Sequence, residues 1–165
     1  MLLLLNLPAD AQYRINELEP EHYFDFWVGE WELTWTDHEG NQGKGRNVIE
    51  KTLDGIVLQE HFECTEGKLK GYKGTSISVY NPQRQRWHQA WADNQGGYIN
   101  LTGSFEGNKR IFQTGPRPGP GGNTIISRMV FYDISKATFT WDWESSTDQG
   151  ETWELNWRIK YRRVM

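Results

Sequence analysis

One cysteine, Cys64, is all the thiol chemistry in this 165-residue chain, so neither an internal disulfide nor a multi-cysteine zinc site can form. Excess positive charge is missing too. Eighteen Lys and Arg against 22 Asp and Glu leave a net charge of −4, without the basic footprint a nucleic-acid partner requires. Long hydrophobic runs are absent beyond a few leucines in the opening MLLLLNLPADAQ, and no segment approaches a membrane span. That opening lacks a basic n-region and a full h-region. The expectation is a cytoplasmic protein, with export as the alternative should the leucines be the remnant of a truncated signal peptide. Histidine is scarce: His22, His38, His61 and His88 show no metal-ligand spacing, and none follows residue 88. No nucleophile elbow and no Ser-His-Asp arrangement is apparent. No catalytic residue, metal or cofactor is therefore expected.

What the chain has in abundance is aromatic surface, with nine Trp, seven Tyr and seven Phe. Such residues fill cores, line apolar pockets or stack on sugars. They recur with period two, the alternation of a half-buried strand, as in Trp31, Leu33 and Trp35 between Glu30, Glu32 and Thr34. Strands are predicted at 30–35, 45–51, 56–64, 72–80, 86–93, 98–105, 110–113, 124–133, 138–145 and 152–163. Turn chemistry separates them at Asp54-Gly55, Asn81-Pro82, Asn94 to Gly97 and Glu106-Gly107-Asn108. The segment 115–123 (GPRPGPGGN) reads as an irregular loop. One short helix is predicted near 19–27, where Pro20 and neighbouring acids suit a helix start. The reading is all-β: an N-terminal extension over 1–18, then one domain over 19–165. Its ten or so antiparallel strands are expected to form an up-and-down barrel, which removes both exposed edges, in preference to a two-sheet sandwich.

Residues 146–153, Ser-Thr-Asp-Gln-Gly-Glu-Thr-Trp, fit the pattern S-x-D-x-G-x-T-W. This resembles the Asp-box of sialidases, where it recurs on propeller blades. A single copy in a chain this short marks a hairpin, with Asp148, Gly150 and Trp153 in structural roles.

The segment FDFWVGEWEL carries G-x-W as Gly29 and Trp31 at the start of the first strand. It resembles the signature that opens the barrel of lipocalins and other calycins. That resemblance implies that Trp31 plugs one barrel end and that an Arg of the last strand packs across it. Arg163, on the face expected for Trp153, Leu155, Trp157, Ile159 and Tyr161, is the candidate. Together with QAWADN, SSTDQGETW and the final YRR, the segment resembles a mostly bacterial family of unknown function with a lipocalin-like fold. The resemblance implies binding of a small apolar molecule, not a reaction.

Alternation assigns an interior face. It predicts Trp87, Gln89, Trp91 and Asp93 inward on one strand, Ile56, Leu58, Glu60, Phe62 and Cys64 on another, and Phe139, Trp141, Trp143 and Ser145 on a third. His61 and His88 fall outward, and 72–80 is ambiguous. The expected ligand-binding set is Trp35, Glu60, Gln89, Trp91, Asp93, Arg128, Trp141 and Trp143. A bare carboxylate inside a barrel is too costly, so Arg128 is the partner expected for Glu60 and Asp93. Three functions fit: a binder of a small apolar or aromatic molecule, an isomerase- or cyclase-like enzyme using interior carboxylates, and a carbohydrate-binding module with exposed Trp platforms. An oligomer is compatible with the sequence but is not predicted.

Overall fold

The computed structural model describes residues 14–165; the leucine run lies outside the described residues. Ten antiparallel strands close into a barrel. They are β1 (Gly29–Thr36), β2 (Gln42–Thr52), β3 (Val57–Glu66), β4 (Lys73–Asn81), β5 (Arg86–Asp93), β6 (Tyr98–Glu106), β7 (Lys109–Thr114), β9 (Thr124–Tyr132), β10 (Thr138–Ser146) and β11 (Glu154–Arg163), with a two-residue β8 (Arg117–Pro118). Each strand of the ring pairs with its sequence neighbours, β7 pairs with β9, and β11 returns to β1 through Trp31 opposite Arg163 and Leu33 opposite Tyr161. The circuit is complete. That closure decides against the sandwich.

Several local expectations are corrected. The helix near 19–27 is replaced by separate 3-10 turns at Ile15–Glu17, Pro20–His22 and Asp25–Trp27, since the segment is too short for α-helix propagation. The glycine-rich loop contains β8, which pairs Arg117 with Ile125 and Pro118 with Thr124. Ile56 is 62% exposed because it belongs to the β2–β3 turn, where Leu53 and Asp54 take positive φ before the strand begins at Val57. Leu155 and Trp153 also leave the interior. A bulge near Asn156 pairs Trp143 with Trp157 but Glu144 with Leu155, so the inward phase of β11 starts only at Trp157.

The end of the barrel near the 3-10 turns is solid. Phe24 stacks on Phe112 at 4.4 Å, and Trp31 meets Phe139 edge-on at 4.7 Å. Trp31 Nε1 donates to the Trp27 carbonyl at 2.7 Å, and Trp87 Nε1 donates to the Pro20 carbonyl at 2.8 Å. Arg110, buried among these rings, donates through Nε to the Tyr23 carbonyl, and desolvation pulls its guanidinium down to about 10. Arg163 lies 4.1 Å over the Trp31 ring and donates to the carbonyls of Val28, Phe26 and Lys136.

The glycine of G-x-W has two reasons to be glycine. Its φ is +129°, and a Cβ there would come within 2.3 Å of Arg163 Nη1, which is pinned by its carbonyl bonds. Gly29→Ala should therefore lower stability by about 1–3 kcal/mol. Urea unfolding tests this, and an unchanged midpoint would show that the Arg163 clasp tolerates a side chain.

Candidate functional site

The opposite end is open-sided and holds a cavity of about 160 Å³. The strands deliver its walls by simple alternation: Phe62 on β3, Trp91 on β5, Met129 on β9, Trp141 and Trp143 on β10, and Trp157 and Tyr161 on β11. Trp91 can lie flat across the barrel because β4 offers Gly74 beneath it. A Cβ at Gly74 would fall 2.0 Å from the indole. The same β4 alternation resolves the ambiguous strand: Ser76 and Ser78 are buried inside, whereas Ile77 is 52% exposed.

Glu60 is the chemically distinctive member. It is 4% exposed and reaches the cavity wall. Asn47 Nδ2 donates to Oε1 at 2.7 Å, and Ser76 Oγ donates to Oε2 at 2.5 Å. Asn47 Nδ2 also donates to the Tyr161 hydroxyl at 3.2 Å. Burial raises the Glu60 carboxyl to about 7, against the pull of the Ser76 and Asn47 hydrogen bonds. Desolvation likewise pushes the Tyr161 phenol well above its usual range, reinforced by the nearby Glu60 charge.

Asp93 stands at the cavity rim and behaves oppositely. Its Oδ1 accepts the backbone N–H groups of Gly97 and Gln95 at 2.9 Å each, and its Oδ2 accepts the Tyr72 hydroxyl at 3.0 Å. These bonds, Gly97 first, hold its carboxyl below the usual range. One carboxylate is stabilised as an ion at the rim, while the other is destabilised as an ion in the interior.

The expected ligand-binding residues divide. Glu60, Trp91, Asp93, Trp141 and Trp143 come together at the cavity. Gln89 shares their face but lies deeper, donating to Ser78 Oγ at 2.9 Å. Trp35 is buried behind Trp157, edge-on at 5.3 Å, and faces a second, more open groove. Arg128 is a correction. It belongs to the outer face of β9, where Nε donates to Glu144 at 2.6 Å and Nη1 to Glu106 at 3.0 Å, under the Trp153 ring at 3.8 Å. Alternation explains this, since its neighbour Met129 takes the inward position. The actual partners of Glu60 are neutral, Asn47 and Ser76.

Asn47 was not among the expected residues. Its signal is indirect: on β2 the charged Lys44 and Arg46 mark the outer phase, leaving Gly43, Gly45, Asn47 and Ile49 inside. At the hairpin after β10, Asp148 accepts from Thr152 Oγ1 at 2.5 Å, from Thr152 N at 2.9 Å and from Ser146 Oγ at 2.7 Å, which draws its carboxyl down to about 2. Gly150 supplies φ +93° in that turn.

The Trp141 and Trp143 rings are nearly parallel, 9° apart at 6.4 Å, but they wall the cavity. The exposed coplanar platforms that a sugar-binding module needs are not formed by Trp91, Trp141 and Trp143. His61 is exposed on the outer face and His88 is directed away from the cavity lining. Among the described residues no helix is long and apolar enough to cross a membrane.

No protein-family model matches the chain, and no curated protein does. Among solved structures, a redesigned beta barrel is similar in outline. It is 12% identical with a TM-score of 0.40, over 86% of this chain and 94% of that one.

Proposed function

We propose that the barrel binds one small organic molecule in the cavity between Trp91, Trp141, Trp143 and Trp157. The supporting observation is an aromatic-walled space of about 160 Å³ in a barrel whose other end is solidly packed. Size narrows the occupant. An apolar cavity of about 150 Å³ takes up a single benzene ring, whereas pockets for drug-sized ligands begin near 300 Å³. The ligand is then a single ring or a compact group of similar volume, rather than a long acyl chain or a macrocycle. On the same footing, the G-x-W segment and its companion motifs ally the chain with the lipocalin-like proteins they resemble.

A second reading has one specific observation in its favour. A carboxyl near 7 that faces a ligand space suits a general acid or base at neutral pH. Glu60 would then carry the isomerase- or cyclase-like chemistry.

Tryptophan fluorescence titrated with a panel of single-ring compounds, together with native mass spectrometry of the purified protein, tests the binder. Saturable quenching or a retained small mass is expected. A protein that responds to no compound and retains no mass would sink the proposal. Recovery of the bound compound unchanged favours the binder over the enzyme. Conversion that is lost in Glu60→Gln reverses that order.

A further inference from the structure

The cavity's charge inventory goes beyond its size. Its lining includes two carboxylates, Glu60 and Asp93, and no Lys, Arg or His among the described residues. Two arginines of the neighbouring strands β9 and β11 are committed elsewhere: Arg128 to Glu144 and Glu106 on the outer face, and Arg158 to Asp142 through two bonds at 2.8 and 2.7 Å. Each Glu60 oxygen accepts one protein hydrogen bond, and a carboxylate has about four acceptor positions, so capacity remains on the cavity side. Around it stand the rings of Trp91, Trp141, Trp143 and Trp157. Aromatic faces attract cations most strongly where water is excluded.

Resting on the reading of the barrel as a small-molecule binder, we propose that its ligand is a small organic cation, a protonated amine or quaternary ammonium, held between the Trp faces and the Glu60 carboxylate. An apolar ligand would leave an ionised, buried Glu60 without a compensating charge. An anion would meet two like charges. A cation satisfies the carboxylate and the rings together, and the ionised Asp93 at the rim favours its approach. Besides Asp93, Tyr161 shares the Asn47 amide with Glu60, Tyr72 lines the same cavity and Cys64 lies farther along the inner face of β3. All three are pushed upward by burial, with Cys64 reaching about 12, so Glu60 alone among them changes charge near neutrality.

The test compares choline, its neutral isostere 3,3-dimethylbutan-1-ol and the anion 3,3-dimethylbutanoate, by calorimetry and tryptophan fluorescence. At about pH 8 choline should bind at least ~10-fold more tightly than the alcohol, with the anion weakest. The preference should shrink at about pH 5.5, where Glu60 holds its proton. Glu60→Gln should abolish the preference for choline over the alcohol at the higher pH. Equal binding of choline and the alcohol would overturn the cation assignment and leave the binder standing. So would binding of neutral single-ring compounds with none of these three probes bound. Failure of every compound in both panels would remove both readings. Should Glu60→Gln not fold, the wild-type comparison decides, because a preference identical at both pH values excludes Glu60 as its source.

Discussion

Replacing Trp31 by alanine is expected to lower the unfolding free energy by about 3–5 kcal/mol. Trp31 is fully buried, packs edge-on against Phe139 and Tyr161, and carries the Arg163 guanidinium on its face. Truncation empties the centre of the packed end and removes the surface on which Arg163 rests. It also strands the Trp27 carbonyl that accepts the indole N–H. Natural domains are stable by only about 5–15 kcal/mol, so this one change consumes a large share. Urea denaturation followed by near-ultraviolet circular dichroism measures it. A loss below about 1 kcal/mol would mean the closed end draws its stability from elsewhere. Trp31→Phe, which keeps the ring but not the N–H, should fall between the two.

The second large effect is a pH dependence with an unusual sign. Glu60 is held at about 7 in the folded protein against an ordinary 4.5. The fold therefore binds this proton more tightly than the unfolded chain does. The stabilisation is complete below pH 4.5 and is lost as the pH rises through 7, a change of about 3 kcal/mol at 1.36 kcal/mol per pH unit. Most carboxylates contribute in the other direction, as Asp148 and Asp37 do, both drawn down to about 2 by hydrogen bonds. Glu60→Gln mimics the protonated form, since its amide can donate to Ser76 Oγ while its carbonyl accepts from Asn47. Unfolding free energies of the two proteins should coincide below pH 4.5, diverge in favour of the variant between 4.5 and 7, and keep a constant gap above 7. Parallel pH profiles would show that Glu60 titrates as it does in water.

The barrel and much of its site were legible in the chain because alternation carries through long strands. Trp31, Leu33 and Trp35, or Glu60, Phe62 and Cys64, keep one phase along their strands, and the structure places them inside. Phase was lost where a residue was inserted. The bulge near Asn156 turns Trp153 and Leu155 outward, and the turn at Leu53 to Ile56 delays the start of β3 by one residue, to Val57. Arg128 misled for a different reason. Its apolar neighbours suggested an interior position, but those on its own face, Val130 and Tyr132, pack on the outside of the barrel. Asn47 went unread because, apart from Ile49, the inner face of β2 is made of small and polar residues, which give little hydrophobic signal.

The pairing of β1 with β11 has a consequence for how the protein is made. The clasp on Trp31 is supplied by Arg163, so the closed end is incomplete until the chain has been translated through that residue. Nascent strands can form hairpins in order as they emerge, but β1 must wait with one edge unpaired for a partner more than a hundred residues downstream. Such distant pairing delays folding and leaves a sticky edge exposed on the ribosome. Chaperone capture of the newly made chain should therefore fall sharply once β11 is released and pairs with β1.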